Sequence, residues 1–156
     1  MDFSERLLPI LKKIPLFQEL DENQHREIIK NIDTQYFKKD QVIFEKGDQA
    51  NALYIIKSGK ILIYQPGLLK QVAEEIAFLS DNDFFGEMGL VTHEPRNASA
   101  KTLEDSLLFF LTKDDFQKLL AENSAIASLI SEEFIKRFKH NTKRVKKQDI
   151  KNEPGF

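Results

Sequence analysis

The feature that most constrains the fold of this sequence is a series of short strand-like runs between residues 33 and 112. The runs are rich in β-branched and aromatic residues: QYF, QVIFEKGD, ALYIIKSGKILIYQPG, EEIAFLSDND, SAKTL and SLLFFLT. Residues that favour turns separate them, namely Gly47, Ser58-Gly59 and Pro66-Gly67. Many short strands at this spacing predict a barrel or sandwich and argue against a parallel α/β sheet.

Helices are predicted before the strands. Asp21 is followed three residues later by Gln24, a capping-box arrangement that marks the start of a helix. The apolar residues after it would lie on one helical face: Ile28, Ile29 and Ile32. Residues 1–32 are therefore expected to form an N-terminal helical segment.

A long helical segment is predicted after the strands. Thr112 followed by Asp115 is a second capping signal, and the chain then contains neither Pro nor Gly as far as Lys147. We expect one long helix, or two joined near Asn123, within residues 113–150, and a frayed tail over 151–156. A stripe at three- or four-residue spacing must pack on the strands, a ligand or another chain: Ile126, Ile130, Phe134, Phe138, Asn141 and Val145.

Composition excludes several classes of protein. With 156 residues and 41% hydrophobic content, the chain can fill one sizeable core, so one domain with terminal attachments is expected, its strands lying in residues 33–112. It has no Cys and only three His, so a disulfide framework, a thiolate zinc site and a histidine metal cluster are not expected. The N-terminus lacks the features of a signal peptide, and no run reaches the roughly 18 apolar residues that span a bilayer. A soluble, cytoplasmic protein is predicted.

The formal net charge of −2 is unevenly distributed. From Lys136 onward, eight Lys or Arg outnumber Asp149 and Glu153, which gives +6 and leaves −8 on residues 1–135. The basic run KRFKHNTKRVKK could contact nucleic acid or an anionic lipid, but a solvated helix face is the favoured interpretation.

The segment with a distinct chemical character is FGEMGLVTHEPRNASA, residues 85–100, between two strand-like runs. Gly86 and Gly89 bracket a short turn, and their missing side chains allow the backbone to approach a ligand closely. The free N–H groups of such a turn favour an anion. Arg96 can close over the same anion with a planar, permanently charged fork that suits a phosphate.

Glu87 indicates a second chemical group on the ligand. An ionised carboxylate only accepts hydrogen bonds, so it fits paired sugar hydroxyls and would repel a phosphate placed directly against it. A sugar beside a phosphate indicates a nucleotide. The spacing alone leaves an alternative open, in which Arg96 and Glu87 pair with each other or with water on an exposed loop.

This segment resembles the phosphate-binding cassette of the cyclic-nucleotide-binding domain family, whose pattern runs Phe-Gly-Glu, small and apolar residues, a loop, then Pro-Arg and small residues. Upstream, VIFEKGDQANALYIIKSGKILIY is similar to the family's two strands joined by Gly-Asp and followed by Tyr-x-Ile and a Gly turn. Together with the flanking helices, the resemblance covers residues 14–145. It implies a mainly β fold with flanking α: a jelly-roll-like β-roll, or double-stranded β-helix, with N-terminal helices and a long C-terminal helix.

The resemblance also implies a ligand site. Arg96 would bind the cyclic phosphate together with nearby backbone N–H groups, and Glu87 would take the ribose 2′-hydroxyl. The N–H groups would come from residues near Gly89, Leu90, Asn97 and Ala98. The residues assigned to the ligand are Phe85, Gly86, Glu87, Met88, Gly89, Leu90, Arg96, Asn97 and Ala98.

Two residues depart from the family pattern. Gly89 stands where Ala is usual, and Asn97 follows Arg96 where Ala or Thr is common. In the family a Thr directly after the Arg favours a guanine base. Asn97 has both a donor and an acceptor, so the choice between cAMP and cGMP stays open, and we favour cAMP.

In the family the base is usually covered by the long C-terminal helix. Phe134 and Phe138 could stack on it, while Asn141 or Thr142 could hydrogen-bond its edge, as a polar pair does in the family's bacterial transcription regulators. The favoured alternative is that both Phe are core or dimer-seam residues, because an aromatic stripe at helical spacing is usually packing.

Two further groups of residues are weaker candidates. Asp81-Asn82-Asp83 could suggest a cation site, but a turn before Phe84 is favoured because Asn tolerates left-handed geometry. His93-Glu94 is expected to lie in a solvated loop.

The predicted function is that of a stand-alone, non-catalytic cyclic-nucleotide receptor. Only nine residues follow Lys147, too few for a DNA-reading domain, and no kinase or transmembrane motif precedes the strands. Ligand would rearrange the C-terminal helix and so signal to an unidentified protein partner, with a homodimer through that helix as one arrangement. The alternatives are an interaction module that keeps the fold but no longer binds nucleotide, and a phosphodiesterase. The enzyme is disfavoured because neither a metal-ligand cluster nor a nucleophile and base pair is apparent.

Overall fold

The computed structural model describes residues 3–67 and 73–145, with side chains in residues 4–67 and 73–136. The strands in this part of the chain are β1 (Asp33–Phe37), β2 (Val42–Phe44), β3 (Ala52–Ser58), β4 (Ile61–Gln65), β5 (Glu74–Leu79), β6 (Phe84–Phe85), β7 (Ser99–Thr102) and β8 (Ser106–Thr112). The α-helices are α1 (Phe3–Leu11), α2 (Glu22–Ile29), α3 (Lys113–Glu122) and α4 (Ser124–Val145).

The strands form two four-stranded antiparallel sheets. One sheet has the order β1-β8-β3-β6 and the other has the order β2-β7-β4-β5. The chain repeatedly passes from one sheet to the other, so strands that are distant in sequence become neighbours: β1 pairs with β8, and β2 with β7. This arrangement is a β-roll with helices before and after it, and the predicted fold class is confirmed.

Two apolar clusters hold the molecule together. In β3, successive side chains point to opposite faces of the sheet, so Leu53 and Ile55 face the helices while Ile56 belongs to the inside of the roll. The roll-interior cluster is formed by Phe37, Phe44, Ile56, Ile61, Ile63, Phe85, Ala98, Ala100 and Leu108. The helix-side cluster is formed by Leu7, Leu8, Ile10, Leu11, Ile14, Leu16, Phe17, Leu20, Ile28, Ile29, Ile32, Leu53, Ile55, Leu90, Phe109, Leu111, Phe116, Leu119, Ile126 and Ile130.

The predicted capping box begins α2. The Gln24 backbone N–H donates to Asp21 Oδ1 at 2.8 Å, and the Asp21 N–H donates to Gln24 Oε1 at 2.9 Å. Two donors that a helix would leave unpaired are therefore satisfied. The predicted apolar face is also confirmed, since its three residues are buried: Ile28, Ile29 and Ile32.

The C-terminal segment is two helices that meet at Asn123. Thr112 Oγ1 accepts a hydrogen bond from the Asp115 N–H at 3.0 Å, which confirms the second capping signal. At the end of α3, Asn123 Nδ2 donates to the Leu119 carbonyl at 3.0 Å, and α4 begins at the next residue. Among the helices that the structure describes, none is long and apolar enough to cross a membrane.

Candidate functional site

The segment from Phe85 to Ala100, called the cassette below, begins where β6 ends. Gly86 has φ +83° and caps a 3₁₀-helix over Glu87–Leu90. A Cβ at Gly86 would lie 2.7 Å from Nη1 of Arg96 and 3.1 Å from the carbonyl oxygen of Ala52. Glycine is therefore required both by the left-handed conformation and by space, and it lets the guanidinium lie against the cassette backbone.

Gly89 lies inside the 3₁₀-helix. The prediction that the two glycines bracket the turn is wrong in this respect, because only Gly86 lies outside it. The Gly89 N–H donates to the Gly86 carbonyl at 3.2 Å, so this donor is used within the turn. A Cβ at Gly89 would lie 2.7 Å from the Cβ of Ala50 and 3.3 Å from Nη1 of Arg96. Ala50 thus occupies the space that a side chain at position 89 would need.

Arg96 is anchored at its backbone and buried along its side chain. Its N–H donates to the Asp48 carbonyl at 2.8 Å, and its own carbonyl accepts from the Gly47 N–H at 2.9 Å. The side chain is only 5% exposed, and Nη2 donates to the Ala52 carbonyl at 2.7 Å. Nε is buried without a hydrogen-bond partner among the described residues.

The electrostatics of the site are those of a desolvated cation. Burial lowers the pKa of Arg96, while Tyr54 and Asp48 act in the opposite direction. Burial likewise raises the pKa of Tyr54, which the Arg96 charge partly offsets. A guanidinium remains protonated at neutral pH even so, and a buried cation favours an anion beside it.

Glu87 is fully buried, as is most of the cassette around it. The alternative that Glu87 and Arg96 lie on an exposed loop is therefore wrong. The cassette also joins the two apolar clusters, because Phe85 and Ala98 belong to the roll-interior cluster and Leu90 to the helix-side cluster. A change in the cassette can thus reach the helices through direct packing.

The outer end of the cassette is fixed by residues that sequence reasoning missed. Asn97 is exposed, and its carbonyl accepts a hydrogen bond from Gln65 Nε2 at 2.6 Å. Ser99 Oγ accepts from the Lys46 N–H at 2.9 Å. No spacing rule connects these residues, because the antiparallel register brings them together. The one sequence signal for the position of the loop that contains Lys46 is the Gly-Asp turn in QVIFEKGD.

The predicted base-covering residues are only partly described. Ile126 and Ile130, at the start of the predicted stripe, are buried in the helix-side cluster, and Phe134 is half-buried. The side chains of Phe138, Asn141, Thr142 and Val145 lie outside the described residues. The stripe therefore packs on the core at Ile126 and Ile130, while the choice between base contact and packing for Phe134 and Phe138 stays a prediction.

The weaker candidates are part of the scaffold. Asn82 has φ +73°, as predicted for a turn. Asp83 Oδ2 accepts from the Ser80 N–H at 2.8 Å, and Asp81 Oδ1 accepts from the Gly59 N–H at 2.9 Å. Both carboxylates are thus used to shape the turn. His93 and Glu94 are exposed, as expected for a solvated loop.

Comparison with known proteins identifies the family that has this arrangement of sheets and cassette. The family model described as the cyclic nucleotide-binding domain matches residues 34–123, more than half of the chain. The chain belongs to this family. The match extends from β1 through the cassette to the end of α3, so it includes both sheets and the buried Arg96.

Two proteins that are similar to this chain are regulatory parts of a protein kinase. A cAMP-dependent protein kinase regulatory subunit of Candida albicans is 30% identical over 132 residues, which are 85% of this chain and 28% of that protein. The co-crystal structure of the regulatory domain of Toxoplasma gondii PKA with cAMP has 26% identity and a TM-score of 0.66, covering 76% of this chain and 46% of that one. The chain therefore spans less than half the length of these relatives.

A third likeness concerns the fold alone. The N-terminal domain of a transcriptional regulator from Streptomyces coelicolor A3(2) is 22% identical, with a TM-score of 0.76 over 86% of this chain and 93% of that domain.

Proposed function

We propose that this chain is a non-catalytic cyclic-nucleotide receptor that binds cAMP in preference to cGMP. The observation that carries the proposal is the burial of the Arg96 guanidinium against the short cassette. Arg96 is 5% exposed and Glu87 is 0% exposed. Burying a cation is unfavourable unless a partner compensates it, and Arg96 Nε has no hydrogen-bond partner among the described residues, so the cassette is suited to an anionic ligand.

Each part of a cyclic nucleotide has a proposed partner in the cassette or on α4. Arg96 takes the cyclic phosphate, assisted by the N–H groups of Leu90, Asn97 and Ala98. Glu87 accepts from the ribose 2′-hydroxyl. Phe85, Gly86, Met88 and Gly89 shape the turn that carries these groups, and Phe134, Phe138, Asn141 and Thr142 are the proposed contacts to the base.

The preference for cAMP is proposed from Asn97. This residue is exposed at the outer end of the cassette, and its carbonyl is held by Gln65. It lacks the hydroxyl that the family places there for guanine, and its amide can both donate and accept. The receptor is proposed to be cytoplasmic.

Occupancy of the site would be relayed to the helices. Leu90 of the cassette packs in the helix-side cluster, and Lys113 Nζ at the start of α3 donates to the Thr92 carbonyl at 2.8 Å. Ordering of the cassette by a ligand would therefore change the relative populations of the positions that α3 and α4 can adopt. A rearranged α4 would present or withhold a surface for an unidentified protein partner or a second copy of the chain.

Titration calorimetry with cAMP and with cGMP tests the proposal. The intact chain should bind cAMP more tightly than cGMP, and Arg96→Ala should weaken cAMP binding by about 100-fold or more, the scale of losing one partner of a buried charge pair. Arg26→Ala is the control, because Arg26 lies on the exposed face of α2 with only a surface ion pair to Glu22. Equal binding by Arg96→Ala and the intact chain would contradict the site.

A fold-retaining interaction module is the second candidate. The observation that favours it is the complete burial of Glu87, because a sugar can reach this carboxylate only if the residues over it move. The melting temperature separates the two candidates, since a ligand that binds only the folded state must raise it. No increase with millimolar cAMP or cGMP would favour the interaction module.

A further inference from the structure

Phe44 lies directly under the buried guanidinium. The Cζ atom of Arg96 is 4.1 Å from the centroid of the Phe44 ring, and the ring is itself buried. We propose that Phe44 is a positioning residue, whose ring fixes the plane of the Arg96 guanidinium so that its free edge meets the anionic part of the ligand. The inference rests on the proposed function and adds to it a residue that lies 41 positions before the cassette begins.

The Phe44 ring is itself held in place. Its centroid is 6.1 Å from that of Tyr54 and 5.9 Å from that of Phe85, and the Tyr54 and Phe85 rings stack at 5.2 Å. The three residues come from β2, β3 and β6, so both sheets contribute to this aromatic group. Rings in mutual contact inside a packed core have few alternative rotamers. The surface on which the guanidinium rests is therefore rigid.

Three sides of the guanidinium are already occupied. Phe44 covers one face, and Nη2 is bound to the Ala52 carbonyl at 2.7 Å. Nη1 lies against Gly86, where even a Cβ atom would be too close at 2.7 Å. Nε remains, buried and without a hydrogen-bond partner among the described residues. A buried N–H group held at a fixed angle with no acceptor is suited to an incoming anion.

The chemistry of the contact explains why an aromatic ring suits this position. The negative face of the ring attracts a cation, and the attraction is larger when the cation is desolvated, as Arg96 is. A planar guanidinium also stacks flat on the ring, which a lysine ammonium does not do. An aliphatic residue at position 44 would fill space without orienting the charge.

A double-mutant cycle tests this role. Phe44→Leu should weaken cAMP binding by about five- to tenfold, the effect of losing a buried cation–π contact. In an Arg96→Lys background the same substitution should change affinity by less than about twofold, since the stacking partner is gone. Phe37→Leu is the matched control, because Phe37 is equally buried in the roll-interior cluster and makes no ring contact with Arg96 in the described part of the chain. It should lower the melting temperature and leave affinity unchanged.

A second measurement needs no ligand. The ring current of Phe44 should displace the NMR signal of the Arg96 Nε–H group, identified by its disappearance in Arg96→Lys, and the displacement should vanish in Phe44→Leu but persist in Phe37→Leu. Equal loss of affinity in Phe44→Leu and Phe37→Leu, or an unchanged Nε–H signal, would overturn the positioning role. Failure of the intact chain to bind either nucleotide would overturn the proposed function, while the NMR result would still decide whether Phe44 orients the guanidinium.

Discussion

The helix-side and roll-interior clusters are built from similar residues but hold very different polar groups. Beside the helix-side cluster lies the buried His25, whose Nε2 is 2.9 Å from the carbonyl of the cluster residue Phe17. Its Nδ1, like Arg96 Nε, is buried without a hydrogen-bond partner among the described residues. The roll-interior cluster lies against Arg96, a permanent charge that contacts Phe44 and Ala52, two residues from a distant part of the chain. The first polar group is compatible with ordinary packing, whereas the second requires a reason for burying a cation.

This difference indicates that the helix-side cluster determines stability, whereas the residues in contact with Arg96 determine ligand affinity. Substitutions on the helix side should change the free energy of unfolding and leave the ligand affinity alone. Substitutions around Arg96 should change affinity, with smaller effects on stability. The cassette residue Leu90 belongs to the helix-side cluster, so it marks the place where the separation should be weakest.

The largest expected effect is on the free energy of unfolding, from a substitution in the helix-side cluster. Leu11→Ala removes a fully buried side chain of α1 and should lower the free energy of unfolding by about 3 to 5 kcal/mol, through lost burial and the cavity left behind. Urea denaturation measures this change, and Lys12→Ala, at an exposed neighbouring position, should alter it by less than about 0.5 kcal/mol. The cAMP affinity of the folded Leu11→Ala protein should stay unchanged. A loss of affinity would show that the clusters are coupled far from Leu90.

Glu87→Gln should act on one group of the ligand. Wild type is expected to prefer cAMP to 2′-deoxy-cAMP, because only cAMP offers a hydroxyl to the carboxylate. The substitution should weaken cAMP binding by about tenfold, close to the lower end of what a hydrogen bond to a charged group contributes, and leave 2′-deoxy-cAMP nearly unaffected. Competition titrations with both ligands measure the difference, with Glu27→Gln, at a half-buried position in a surface ion pair on α2, as control. Equal losses for both ligands would remove Glu87 from contact with the sugar.

The helices and turns of the fold can be predicted from the sequence because the signals for them are local. The capping residues Asp21 and Thr112 and the turn at Asn82 act within a few residues, and the structure has each of them as predicted. The cassette was recognisable for the same reason, since Phe85 to Ser99 is one continuous segment.

The support around the cassette could not be predicted in this way. Phe44, Ala50 and Ala52 contact Arg96 or Gly89 only because strands far apart in sequence pair in a particular register. Their residue types are ordinary for a core, so nothing in composition or periodicity separates them from residues that only pack. Gly89 illustrates the limit: the sequence showed an unusual glycine, and only the position of Ala50 gives the reason.

That reason leads to the next prediction. Gly89→Ala should weaken cAMP binding by about five- to tenfold, because the new Cβ would lie 2.7 Å from Ala50 and close to Nη1 of Arg96, so the turn must shift. Ala50→Gly removes the obstructing atom, and the double variant should recover most of the lost affinity and melting temperature. Calorimetry and thermal melts on all four proteins give the coupling. Additive losses in the double variant would show that Ala50 is not the obstacle.

The smallest expected effect is the one that most sharply separates stability from binding. Because burial lowers the pKa of Arg96, the folded state disfavours its protonated form, and this penalty is fully present at every pH below the folded pKa, neutral pH included. Arg96→Met removes the penalty together with the hydrogen bond to Ala52 and the contact with Phe44. These terms oppose one another, so the free energy of unfolding without ligand should change by only about 1 kcal/mol. Urea denaturation of Arg96→Met, with Arg26→Met as the exposed control, measures this change. A loss of several kcal/mol would mean that the guanidinium supports the roll itself, and the weaker binding of Arg96→Ala would then report unfolding of the site in place of a lost contact with the phosphate.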